Sequence, residues 1–139
     1  MPKKDRPTRQ QAPVMASHGH FYWNELMTRD PERAKKFYHD TIGWTFDAMR
    51  HPRGTYWVAK LAGQPVAGIL PMSGPEFDGV AEQWMAYVAV DDVDARLKRA
   101  TAAGATVIRA PFDVPTVGRI AIVREPGGAV IAWMKPASS

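Results

Sequence analysis

The chain has 139 residues, no cysteine, and eighteen Lys and Arg against fourteen Asp and Glu, a formal net charge of +4. That length suits one domain, or two small halves sharing a core, and an apolar fraction of 45% argues against disorder as the main state. Without Cys there is no disulfide framework, thiolate nucleophile or Cys-ligated metal centre, and the absence fits a cytoplasmic protein.

The basic charge is unevenly placed. Residues 1–16 hold Lys3, Lys4, Arg6 and Arg9 against Asp5 alone, so the other 123 residues carry a net charge of only +1. With prolines at 2, 7 and 13 and no apolar period, residues 1–17 read as a flexible basic arm. No apolar run approaches the roughly 18 residues of a membrane span, and the arm lacks a secretory core. Membrane and nucleic-acid partners are therefore not expected, since the body is nearly neutral.

In chain order, Phe21–Thr28 reads as an aromatic-rich strand, and Asp30-Pro31 as a helix N-cap followed by proline at the first helical position. Ala34, Phe37, Tyr38 and Ile42 form an apolar helical stripe that stops at Gly43. Strands follow at 44–49, 55–61 and 66–72, separated by turns at His51–Gly54 and Gly63–Pro65. Residues 73–82 form a linker. Trp84–Val90 is the next strand, Asp91 or Asp92 caps a helix that turns Val93, Leu97 and Ala100 inward, and Gly104 ends it. Strands at 105–109, 119–124 and 129–134 close the pattern, and 137–139 is a tail.

The chain is thus βαβββ twice, over 18–72 and 83–136. A shift of 61 residues superimposes Trp23 on Trp84, Asp30 on Asp91, Ala34 on Ala95, Gly43 on Gly104 and Pro65 on Pro126. The fold class is α+β: two tandem modules, each with a curved sheet, around a central cavity. Neither half alone can bury both a helix stripe and a sheet face.

Strand alternation places Trp23, Glu25 and Met27 on one face. A carboxylate among apolar neighbours is a candidate general acid or base once desolvated, or is held by Arg29, Arg119 or a backbone group. Tyr56, Trp57, Trp84, Tyr87 and Trp133 offer aromatic walls, with Trp57 and Trp133 read as core. Met27, Met72 and Met85 are adaptable lining. Arg119 either clamps a ligand anion or pairs internally with Glu25 or Asp113. His18 and His20 read as solvated, and His39 and His51 as exposed. Serines at 17, 73, 138 and 139 support no hydrolase triad, and neither a Gly-Lys-Thr phosphate loop nor a dinucleotide fingerprint occurs.

Trp23–Asp30 with Ala34, Phe37-Tyr38 and Ile42-Gly43-Trp44 resembles the opening module of the vicinal oxygen chelate superfamily, which includes glyoxalase I, extradiol dioxygenases and bleomycin-resistance proteins. Trp84, Tyr87, Val90-Asp-Asp92, Gly104, Gly118-Arg119 and Glu125–Ala129 resemble the closing module of its glyoxalase-like branch. The resemblance implies the paired-module fold and places the Trp23 face on the cavity. It also implies a divalent metal, and here the chain departs from its relatives. The ligand positions fall on Trp23, on Trp84 or Met85, on Pro71 and on Ala132, none of which can replace imidazole or carboxylate.

No metal and no cofactor are therefore expected. The expected function is capture of a small organic ligand in an aromatic, Met-lined cavity by Trp23, Glu25, Met27, Tyr56, Met85, Tyr87 and Arg119. The alternative is a metal-independent lyase, isomerase or hydroxylase-like enzyme that uses Glu25 as catalytic acid or base. The resemblance adds a homodimer as an expectation.

Overall fold

The computed structural model describes residues 17–137. Two compact units emerge, one spanning Trp23–Met85 and the other formed by the described residues before Trp23 and from Ala86 onward. The architecture is α+β, with the order β-α-β-β-β occurring twice.

The first half consists of β1 (Phe21–Thr28), α1 (Pro31–Ile42), β2 (Thr45–His51), β3 (Gly54–Leu61) and β4 (Gln64–Pro71). Its strands run in the order β2-β3-β4-β1, with β1 parallel to β4 and the other neighbours antiparallel. The Asp30 carboxylate accepts the Arg33 N–H at 3.0 Å and so caps α1, and Gly43 closes the helix in a left-handed conformation (φ 80°). The α1 side of the sheet buries Leu26, Ala34 and Ile69, with Tyr38, Phe46 and Trp57 packed around them. Trp57 thus packs, half-buried, against the core rather than within it.

The helical stripe is shallower than its spacing suggests. Only Ala34 is buried in α1, whereas Phe37 and Ile42 are 56% and 52% exposed. Aromatic contacts hold this surface instead: Tyr38 stacks on Trp44 at 5.2 Å, and the Trp84 indole N–H donates to the Tyr38 hydroxyl at 3.1 Å. The linker, with a short 3-10 turn at Pro75–Phe77, is tied down by Arg29, whose guanidinium donates to the carbonyls of Phe77 and Val80. Glu82 anchors its far end by accepting from the Thr28 hydroxyl at 2.7 Å and from Arg33 at 3.0 Å.

The second half consists of β5 (Gln83–Ala89), α2 (Val93–Ala102), β6 (Thr106–Val114), β7 (Gly118–Arg124) and β8 (Val130–Pro136), with strand order β5-β8-β7-β6. Asp92, not Asp91, caps α2, by accepting the Ala95 N–H at 3.0 Å. Asp91 instead pairs with Arg96 through two 2.9 Å bonds. Cap to cap, the repeat is therefore offset by 62 residues, which sets Lys35 against Leu97. Lys35 fills the apolar role with its stem and lays its ammonium over the Trp57 ring, 3.1 Å from the centroid.

Val90, Val93 and Ala121 form the α2-side core, with Val88, Leu97 and Trp133 around them. β6 runs five residues beyond the expected Arg109 and passes through Pro111. It is the last strand in the order β5-β8-β7-β6, and its register shifts between Val107 and Phe112, so the missing proline donor breaks no regular ladder.

Candidate functional site

The face of the first sheet that points away from α1 holds the polar centre of its unit. Leu26 and Ile69 point toward α1, so alternation turns Glu25 and Gly68 the other way. Parallel pairing sets Glu25 beside Gly68, and Gly68 in turn lies beside Val58, two residues along β3 from Tyr56. Trp23, Glu25, Met27 and Tyr56 therefore share one surface.

Tyr56 organises it. Its oxygen accepts the Trp23 indole N–H at 2.9 Å, and its hydroxyl is hydrogen-bonded to the Glu25 side chain. Since an indole only donates and a carboxylate only accepts, the phenol fits between them as acceptor on one side and donor on the other. Burial and the neighbouring Glu25 charge raise the Tyr56 pKa well above the ordinary phenol range, so the hydroxyl keeps its proton at neutral pH.

Two residues that sequence reasoning had not linked to this cluster support it. A Cβ at Gly68 would sit 1.7 Å from the Tyr56 oxygen and 2.3 Å from Cζ, so glycine is what makes room for the phenol. The available signal was a glycine in the middle of the apolar strand 66–72. The second is His51, read as exposed but half-buried here. Its ring stacks on Tyr56 at 5.8 Å and 23°, and its Nδ1 accepts the Arg53 N–H at 3.1 Å. Burial and then the Arg53 charge lower its pKa, which favours a neutral imidazole.

The remaining site candidates are distributed as follows. Glu25 and Met27 are each 8% exposed and Met85 5%, all in the Trp23–Met85 unit. The Arg29 guanidinium donates to the Phe77 and Val80 carbonyls of the linker. Tyr87 and Arg119 belong to the other unit. Tyr87 is buried and pairs with Ala132, on the face opposite Val88 and α2. Arg119 lies on the α2 side, where it donates to Asp94 at 2.9 and 3.1 Å and to Asp113 at 3.0 Å. Those bonds raise its pKa further and engage three of its nitrogens. Within its own unit, Arg119 is thus on the opposite sheet face from Tyr87.

Residues at the expected metal positions do not fit a divalent ion. The Trp23 nitrogen carries a proton and spends it on Tyr56, while Pro71, Met85 and Ala132 offer no nitrogen or oxygen side-chain donor. Among the described residues, no group of three or more His, Cys, Asp or Glu side chains is disposed to hold a metal. No helix of the described residues is long and apolar enough to cross a membrane.

Comparison with known proteins agrees with this architecture. Residues 18–132 match the Glyoxalase/Bleomycin resistance protein/Dioxygenase superfamily. Protein CFP32 of Mycobacterium tuberculosis, which carries a glyoxylase name, is 39% identical over 127 residues, covering 91% of this chain and 48% of that protein. The anthracycline biosynthesis protein DnrV of Streptomyces peucetius is 34% identical over 126 residues, covering 81% of this chain and 46% of that protein. The chain therefore spans about half the length of these two relatives. Among solved structures, methylmalonyl-CoA epimerase of Mycobacterium tuberculosis has the same fold, with a TM-score of 0.59 at 18% identity over 88% of this chain and 93% of that one.

Proposed function

This chain belongs to the Glyoxalase/Bleomycin resistance protein/Dioxygenase superfamily, and on that premise we propose that it binds a small organic ligand on the sheet face of Trp23, Glu25, Met27 and Tyr56, without the superfamily's metal. The observation that carries this reading is the Trp23–Tyr56–Glu25 chain of hydrogen bonds over Gly68. It fixes the Tyr56 oxygen and the Glu25 carboxylate as oriented acceptors in a largely apolar wall, the combination that fixes a ligand's orientation. The indole and phenol faces suit a flat ligand. Because the DnrV relative is named for anthracycline biosynthesis, planar polycyclic aromatics are the first compounds to try.

A second reading rests on the buried Glu25 itself. Glu25 is the group placed to take a proton from a bound ligand, and once it is protonated the Tyr56 O–H that it had accepted is released to donate to the charge that results. That arrangement would serve a metal-independent isomerase or lyase.

A thermal-shift panel of planar quinones, aromatic acids and acyl thioesters, run with and without EDTA, tests both readings. The expected result is a ligand that raises the melting temperature equally under both conditions and binds about tenfold more weakly to Tyr56→Phe. Recovery of the ligand unchanged supports binding. A transformed ligand whose turnover is lost in Glu25→Gln supports catalysis. Stoichiometric Zn, Ni, Mn or Fe in the purified protein, or full affinity in Tyr56→Phe, would overturn the proposal.

A further inference from the structure

Outside that face, the second unit has a groove of about 360 Å³ between α2 and the strands beneath it, where Val88, Val90 and Trp133 meet Arg96, Arg99 and His18. Trp133 is half-buried: it packs on the Val90–Val93–Ala121 core and also lines the groove. An apolar floor with an aromatic face is thus bordered by cationic side chains.

The charges are not all committed. Arg96 spends its Nε and Nη2 on Asp91, and those bonds hold the Asp91 carboxyl down at about 2, so this carboxylate is ionised at any ordinary pH. The His18 Nδ1 accepts the Asp91 N–H at 3.0 Å, which in the neutral ring leaves Nε2–H as a donor. Asp91 Oδ1, 3.4 Å from the same nitrogen, becomes an ion-pair partner only if the ring is protonated. Arg99 is exposed, and its guanidinium has no hydrogen bond or ion pair among the described residues. Asp91 and Asp92 both act on Arg96, so Arg99 is the guanidinium of this rim left without a carboxylate partner among the described residues.

A groove of about 420 Å³ beside α1 provides a contrast within the same molecule. There Lys35 is paired with Glu32 and laid over Trp57, and Lys36 is paired with Asp40. Its cations are engaged, whereas the α2 groove keeps a free one beside an available indole.

The geometry points to the α2 groove as a second ligand site, for a flat aromatic body that carries a single carboxylate or equivalent anion. The ring lies on Trp133, Val88 and Val90, and the anion meets Arg99, with the remaining Arg96 donors and His18 within the same rim. This site shares no residue with the Trp23–Tyr56 face and stands independently of the function proposed for it.

Titration of the 15N-labelled full chain with 2-naphthoate, and with uncharged 2-naphthalenemethanol, tests the assignment at low salt. The largest shifts are expected at the amides of Gly19, Val90 and Ala100 and at the Trp133 indole N–H. The alcohol should bind about fivefold more weakly than the acid, the upper end of the range for one exposed charge contact. Arg99→Gln should weaken the acid by a similar factor at an unchanged melting temperature, Arg99→Lys should recover part of the loss, and Tyr56→Phe should leave these shifts in place. The site is overturned if the shifts are absent or centre on Trp23, or if acid and alcohol bind alike. It is also overturned if Arg99→Gln binds like the parent, or if the same amides shift with protein concentration alone, which would mark the groove as a contact between two copies.

Discussion

The helix-free sheet faces of the two halves have the same pleat but different contents. In the first, Trp23, Glu25 and Tyr56 are joined by hydrogen bonds over the bare backbone of Gly68. In the second, Tyr87 shares its face with Ala132, Ile122, Ile120 and Met134. The arginine of that half, Arg119, is on the other side, fastened to Asp94 and Asp113. One strand–helix–strand plan therefore carries a Trp–Tyr–Glu array in one copy and a tyrosine among mainly apolar neighbours in the other. A change of one or two side chains per strand is enough, because alternation assigns each position to a face without disturbing the ladder.

Glycine substitutions break this comparison most sharply. Gly118 has φ +150°, and a Cβ there would lie 2.3 Å from the Lys135 carbonyl oxygen, a backbone atom that cannot step aside. Gly118→Ala should cost about 3 kcal/mol in urea denaturation, through strain and overpacking together. Gly68→Ala meets the Tyr56 side chain instead, so about 2 kcal/mol is expected, together with loss of the Trp23 indole hydrogen bond and of ligand binding. An equal stability cost with the Trp23 resonance unmoved would show that Gly68 does not hold the phenol's place.

High pH, read as the difference between parent and Tyr56→Phe, probes the first half. The Tyr56 pKa is raised in the folded state by burial and by Glu25. Its contribution to stability is therefore complete below the unfolded phenol value of about 10 and is lost as pH climbs toward the folded value. Tyr56→Phe lacks this term, so the stability gap between parent and variant should shrink above about pH 10. Phenolate absorbance at pH about 11 should be the same in both, because Tyr56 is still protonated. A gap independent of pH would contradict the buried Tyr56–Glu25 contact.

Acid probes the second half, with a smaller effect because Asp91 and Arg96 are near the surface. Asp91 is depressed to about 2, chiefly by its hydrogen bonds from Arg96. The stability it supplies is present above the unfolded carboxyl value of about 3.9 and disappears as pH falls through about 2. Asp91→Asn should thus be less stable than the parent near pH 6 and converge with it by about pH 2. Parallel acid unfolding curves would contradict that pairing.

How much of this was legible in the sequence follows from the range of each interaction. Asp30-Pro31 and Gly43 bracket α1 as their local chemistry requires, and period-two alternation alone puts Trp23, Glu25 and Met27 together. The partner of Trp23 lies 33 residues away, and the strand order that delivers it is not encoded in any short window. Gly68 was visible only as an anomaly within a strand, since its reason is the tyrosine above it. The outward rotation of Phe37 and Ile42 was not legible because the stripe fixes a helix face, while the neighbours decide how deeply it packs. Arg119 had two open readings, and the register of β7 with β6 and the position of α2 bring it to two carboxylates.

The central claim is that the Trp23–Tyr56–Glu25 array receives the ligand. It is tested most directly by following the Trp23 indole Nε1–H resonance while the full chain is titrated with whichever planar compound stabilises it in the thermal-shift panel. The account predicts that this resonance shifts in step with binding and that Tyr56→Phe lowers affinity about tenfold. A compound that binds with the Trp23 resonance unmoved and with equal affinity for parent and Tyr56→Phe would contradict it.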